Sequence, residues 1–198
     1  MIVTRVFAVH TDFGRETYRT LMVTDDEESR RFISLFPKVA SPIGDRWHPP
    51  SFVFNETAGV TPDVVHLWHP NLPVLTRRAR ELLGDEPTRC GELLPIEAEG
   101  QSMWIWHVTQ RADCLDASKS MVPVHGAMSL VFVPDQLPAG PLFIVDYRRM
   151  RGRMFLVERP EHRSHLRDLF ETRQLTGLAF VEVWSEDNGP ILYDPMTA

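Results

Sequence analysis

Most apolar runs in this chain are short and alternate with polar residues at the period of a β-strand. VTRVFAV (3–9) and TYRTLMV (17–23) are rich in β-branched and aromatic residues. Asp12, Phe13 and Gly14 lie between them, which predicts a hairpin. SFVFN (51–55) and DVVHLW (63–68) predict two more short strands. From Gly91 to Ser120 the chain alternates in two short runs and then closes in a polar turn, Asp113-Cys-Leu-Asp116, a hairpin and turn expected to organise the C-terminal half. SLVFVPDQL (129–137), PLFIVDY (141–147), MFLVE (154–158) and LAFVEVW (178–184) add four strands.

Helical patterning is confined to three places. Thr24 with Glu27 fits a capping box ahead of Arg31, Phe32, Leu35 and Phe36, and Pro37 ends that helix. Pro73 opens a second, VLTRRARELLG, with Val74, Leu75, Ala79, Leu82 and Leu83 as its stripe and Gly84 at its end. Pro160 starts a third, with Leu166, Leu169 and Phe170 inward and Gly177 as its C-cap. Residues 37–50 read as an ordered loop and the tail from Ser185 as loosely tied. The polar segment Asp85–Arg89 divides the chain into halves, 1–86 and 87–198. The expected class is α+β, mainly antiparallel sheet with about three helices.

Composition narrows the partners. A 198-residue chain with 43% hydrophobic and 24% charged residues is an ordinary globular protein of one large or two small domains. Its net charge of −6 argues against nucleic acid or an anionic membrane and favours a basic partner. Cys90 and Cys114 match no zinc or thioredoxin spacing and read as reduced core thiols. With no apolar leader-like stretch and no membrane-length apolar run, the expected compartment is the cytoplasm.

Candidate chemistry is sparse. No phosphate loop, dinucleotide fingerprint or nucleophile elbow is present. His66/His69 and His162/His165 have metal-like spacing but lack the glutamate of a zinc protease, and solvated or core histidines are the competing reading. Asp113 and Asp116 pair either for acid–base or cation chemistry or as turn formers. Trp104 and Trp106, two apart on one strand face, are either a stacking platform or core. Asp25, Asp26, Glu27 and Glu28 are the densest acidic run. They either stabilise a helix N-terminus or meet a basic surface. Glu81, Asp85, Glu86, Glu92, Glu97 and Glu99 form a second acidic set around the junction, each weighed against a plain solvated role. The Arg148–Arg153 turn reads as solvated in so acidic a chain.

One arrangement carries a resemblance: the MWIWHV strand, the D-x-L-D-x-x-x-S turn at Asp113, Leu115, Asp116 and Ser120, and the ending LRDLFETRQLTGLAFVEV. Over about residues 70–185 the chain resembles the myxobacterial-type immunity proteins of bacterial polymorphic-toxin and type VI secretion systems. The resemblance implies a non-enzyme without cofactor or bound metal. Such a protein neutralises a cognate toxin effector, often a basic nuclease, by stoichiometric binding in the cytoplasm. It also makes Asp113, Leu115, Asp116 and Ser120 structural turn residues. Asp25–Glu28, Glu81, Asp85, Glu86, Glu97 and Glu99 are then the expected toxin contacts. A metal-dependent hydrolase and a small-ligand or carbohydrate-binding module using Trp47, Trp104 and Trp106 are the competing functions.

Overall fold

The computed structural model describes residues 3–12, 18–36, 42–55, 59–67, 72–123, 126–145, 153–160 and 165–194, the side chain of His165 excepted. The fold is α+β, with a predominance of antiparallel strand pairs and three α-helices among the described residues. The chain forms two compact units, each built from separate stretches. One comprises Met1–His10, Gln110–Arg167 and Ala179–Ala198. The other comprises Thr11–Thr109 and Asp168–Leu178. The division differs from a cut at residue 86. Asp85–Arg89 lies inside the second unit, where it packs on the hairpin that follows, and the Gly91–Ser120 stretch crosses from one unit to the other.

The second unit is a closed six-stranded barrel of order β2-β3-β6-β7-β5-β4. Its strands are β2 (Leu21–Val23), β3 (Phe52–Phe54), β4 (Val64–Leu67), β5 (Leu72–Leu75), β6 (Gly91–Ala98) and β7 (Gln101–Val108). The β6–β7 hairpin is the longest pairing, running from Gly91↔Val108 to Ala98↔Gln101. Period-two alternation sends Leu94, Ile96, Met103 and Ile105 into the barrel core, and Pro95 and Glu97 outward. Trp106 points outward yet is buried, because the 3-10 turn Glu86–Arg89 covers it and the Pro87 carbonyl accepts its indole N–H at 3.0 Å.

The hairpin turn is Glu99-Gly100, with φ of +49° and +76°. Two consecutive positive φ values define the turn type whose twist matches the flanking strands. A Cβ at Gly100 would meet nothing within 4 Å, so only the backbone conformation resists a side chain there. Gly100→Ala is expected to cost about 1 kcal/mol in urea denaturation.

Helix α1 (Asp26–Leu35) is capped by Asp25, not Thr24: the Asp25 carboxylate accepts N–H bonds from Glu27 and Glu28, both at 2.9 Å. Thr24 instead donates to the Ser51 carbonyl. The helix foreseen from Pro73 begins later. Leu72–Leu75 is strand β5, and α2 (Arg77–Leu83) starts after Thr76, whose hydroxyl accepts from the Ala79 N–H. Pro73 is tolerated in the strand because β5 meets β7 only through Val74 and Leu75, so no ladder donor is missed.

The first unit holds a six-stranded sheet of order β13-β12-β1-β11-β10-β8. These are β1 (Arg5–Thr11), β8 (Arg111–Ala112), β10 (Leu142–Val145), β11 (Met154–Glu158), β12 (Leu178–Ser185) and β13 (Gly189–Pro190). β1 pairs antiparallel with β11, so the hairpin expected between β1 and β2 does not form. β2 instead pairs antiparallel with β3 in the barrel. Phe132, Phe143, Phe155 and Trp184 pack as an aromatic centre, with Phe132 edge-on to Phe155 at 5.6 Å and to Trp184 at 6.0 Å. Residues 129–137 are mostly irregular: β9 (Met128–Ser129), a single bridge at Phe132 and a 3-10 turn at Pro134–Gln136. The tail is tied rather than loose, because β14 (Leu192–Tyr193) pairs with β9 and buries Tyr193.

Helix α3 (His165–Thr172) ends at Gln174, not at Gly177. Gln174 has φ +51°, and the N–H groups of Gln174 and Leu175 bond the carbonyls of Glu171 and Phe170, the pattern of a Schellman cap. Gly177 has another role, taken up in the Discussion.

Candidate functional site

The acidic residues divide into two sets that the fold keeps apart. α1 is fastened to the start of β3: the Thr24 N–H donates to the Ser51 carbonyl at 3.1 Å, and Glu28 Oε2 accepts the Ser51 N–H at 3.2 Å. β3 in turn runs beside β6 with Phe52 opposite Ala98. That register sets Ser51 beside Glu97 on the outward face, with Glu99 just beyond in the hairpin turn. Asp25–Glu28, Glu97 and Glu99 therefore share one end of the barrel. Glu81 in α2, and Asp85 and Glu86 just after it, lie at the other end of the hairpin, and Gly91 to Glu97 spans about 20 Å of strand. Glu86 is paired there with Arg89 at 2.9 Å.

Within the first set the carboxylates are not equivalent. Asp25 caps α1 and Glu28 holds Ser51. Glu99 pairs at 3.1 Å with Arg19, whose guanidinium lies 3.9 Å from the centre of the Phe54 ring. Asp26, Glu27 and Glu97 are exposed and have no ion-pair partner among the described residues.

The 113–120 segment is a built turn. The Asp116 carboxylate accepts from the Ser118 hydroxyl at 2.6 Å and from the N–H groups of Ser118 and Lys119, with the Lys119 ammonium at 3.0 Å. The Ser118 hydroxyl first, then Lys119, hold its carboxyl down at about 2. The Ser120 hydroxyl accepts the Val131 N–H at 2.9 Å, and Leu115 is buried opposite Phe132. Asp113 is exposed on the same turn. Burial pushes the neighbouring Cys114 thiol up to about 12, with the Asp113 charge adding to it, so this thiol is unreactive near neutrality.

His66 is buried in β4, with its Nδ1 2.8 Å from the Thr11 hydroxyl. Its spacing partner His69 lies outside the described residues, as do His162 and the side chain of His165. Among the described residues, no three His, Cys, Asp or Glu side chains gather where they could hold a metal ion. Of Trp47, Trp104 and Trp106, only Trp106 is fully buried. Trp47 donates to the Pro95 carbonyl at 2.8 Å and packs edge-on against Phe32 and Phe36. Trp104 sits across from Pro95 on the outer face of the hairpin.

One polar cluster escaped the reading of the sequence. Glu92, grouped there with the solvated junction acids, faces inward beside the buried His107. Their separation is 2.8 Å, from Glu92 Oε1 to His107 Nδ1. The carboxylate also accepts the Ile43 N–H at 2.6 Å and the Gly44 N–H at 3.1 Å. Phe36 stands edge-on to the His107 ring at 5.2 Å. The signal was present: Glu92 and His107 share the inward parity of Leu94 and Ile105. What the sequence could not show is the segment at 43–44 that supplies the two backbone donors.

No helix among the described residues is long and apolar enough to cross a membrane. No protein-family model matches this chain, and no curated protein is significantly similar to it in sequence.

Proposed function

We propose that this chain is an immunity protein that binds a basic toxin, most simply a nuclease effector of a type VI secretion or related polymorphic-toxin system, and neutralises it stoichiometrically in the cytoplasm. The observation that carries the reading is the acidic end of the barrel. Two separate stretches of sequence bring Asp26, Glu27 and Glu97 to one exposed face, with Asp25, Glu28 and Glu99 beside them. Charge of one sign on one face speeds encounter with an oppositely charged partner and weakens as salt rises. The resemblance over residues 70–185 supplies the toxin as that partner.

The other chemically capable side chains support a binding role over a catalytic one. Asp116 is engaged by its own turn, His66 by Thr11, and Glu92 by His107 and two backbone N–H groups. The test is co-production with the toxin encoded by the adjacent gene. Cells are expected to survive only when this chain is present, and the two proteins are expected to co-purify. A toxin that stays fully lethal overturns the reading.

A further inference from the structure

We propose that on this acidic face the partner seats an apolar side chain against Met22 and Val53, while Asp26, Glu27 and Glu97 hold a ring of lysine or arginine around it. The inference rests on the proposed function and specifies where and how the partner is gripped.

The register supplies the geometry. β2 and β3 are antiparallel with Met22 directly opposite Val53. Leu21, Val23, Phe52 and Phe54 on either side of them point into the core. Met22 and Val53 therefore stand side by side on the outward face, with Met22 39% exposed. An outward position in an antiparallel pair is ordinarily polar, so an exposed methionine beside a half-buried valine forms a partly exposed apolar strip. Methionine also adapts its shape to what lands on it.

What surrounds the strip selects the occupant. Across the β3–β6 boundary Phe52 is opposite Ala98, which puts Glu97 next to Ser51, and Glu99 follows in the hairpin turn. The first turn of α1, with Asp26 and Glu27, is fastened at Ser51. Arg19 neutralises Glu99, Asp25 caps the helix, and Glu28 is bound to Ser51. The charge facing a partner thus comes from Asp26, Glu27 and Glu97, offset in part by Arg30, whose Nε donates to the Asp26 carbonyl at 3.2 Å. An apolar centre with a charged rim is the usual anatomy of a protein interface, and a rim of carboxylates fits lysine and arginine. A nucleic acid would be repelled, and a second copy would bring like carboxylates together.

The test uses the full-length chain and the adjacent-gene toxin, purified in an inactivated form. Met22→Ser is expected to weaken binding at least about tenfold, mainly through faster dissociation, while still unfolding in one cooperative thermal transition. Met22→Leu is expected to bind as the wild type. The triple variant Asp26→Asn, Glu27→Gln, Glu97→Gln is expected to slow association severalfold at low salt, with the difference closing as salt rises. Glu81→Gln with Asp85→Asn, at the far end of the hairpin, serves as the control and is expected to change association less than about twofold.

If the wild type does not bind the toxin, the proposed function fails and this inference with it. If the wild type binds and Met22→Ser binds equally well, the function stands and the anchor is overturned. A control pair that slows association as much as the triple variant overturns the rim. A wild-type dimer that Met22→Ser converts to monomer assigns the face to a second copy and overturns the proposal.

Discussion

Gly177→Ala is expected to lower stability by about 4 kcal/mol, seen as a fall of about 2 M in the urea midpoint for a slope near 2 kcal/mol/M. Two effects add. Gly177 has φ +99°, where a side chain is strained, and a Cβ there would lie 2.0 Å from the Val64 carbonyl oxygen and 2.9 Å from its carbon. Both atoms are backbone of a barrel strand and cannot rotate aside. Nor can the glycine retreat. Thr176, one residue before it, gives its N–H and hydroxyl to Asp63 Oδ2 at 3.0 and 3.1 Å. Its carbonyl takes the Val64 N–H at 3.0 Å, and its hydroxyl takes the Asp63 N–H at 3.0 Å. Asp63 is itself held by Arg78 at 2.6 Å. Relieving the clash means breaking that set. Gly100→Ala isolates the conformational part, since that site has a similar φ and open space. A Gly177→Ala variant no less stable than Gly100→Ala would show that the close approach to β4 is not real.

That residue marks where the sequence stops being legible. Gly177 follows a helix, so local pattern makes it a cap. Its real constraint comes from Val64, far away in the chain. The same holds for pairing. Alternation located β1, β3, β4, β6, β7, β10, β11 and β12, because a half-buried strand writes its two faces into period two. Alternation says nothing about partners. β1 and β2 are close in sequence but enter different sheets, and the strand order follows from which apolar faces must be covered together. β5 was hidden by Pro73, a residue that suits the first turn of a helix and equally suits a strand position whose backbone donor is not needed, as here opposite His66.

The candidate site divides in the same way. The acidic run at Asp25–Glu28 is visible as composition, and its helix is visible as period. That Glu97 belongs with it while Glu81 and Asp85 do not depends on the Phe52↔Ala98 register and on one bond from Glu28 to Ser51. Met22 escapes any reading of the sequence, because an outward methionine looks the same as an inward one until the parity of Leu21 and Val23 is known. The turn at Asp113–Ser120 was legible because aspartate and serine act on their nearest backbone neighbours, and Asp116 bonds two and three residues ahead.

The second large effect is expected at Glu92, and it depends on pH. Glu92→Ala removes the shared acceptor of the Ile43 and Gly44 N–H groups and of His107 Nδ1, leaving a buried imidazole and two amides without it. Leaving hydrogen-bond donors in the interior without their acceptor costs about 1–3 kcal/mol. The 3-10 turn Gly44–Arg46 would lose the bonds that tie its start to Glu92, while Trp47 after it keeps its bond to the Pro95 carbonyl. Burial by itself pushes the Glu92 carboxyl up, but the Ile43 N–H, the His107 ring and the Gly44 N–H together outweigh it and hold the group below its ordinary range. In the unfolded chain a glutamate titrates near about 4.3. A carboxyl with a depressed folded pKa stabilises the fold fully above that value, because the unfolded form is then the only one that would take up a proton as acid is added. The contribution is lost as pH falls from there through the lower, folded pKa. The gap in urea stability between the wild type and Glu92→Ala is therefore expected to be full at neutral pH and to narrow as pH falls below about 4.3. Trp47 emission should report the loosened turn in the variant at every pH. A stability gap that stays constant into the acid range would mean that the charge on Glu92 is not what holds residues 43 and 44 to the barrel.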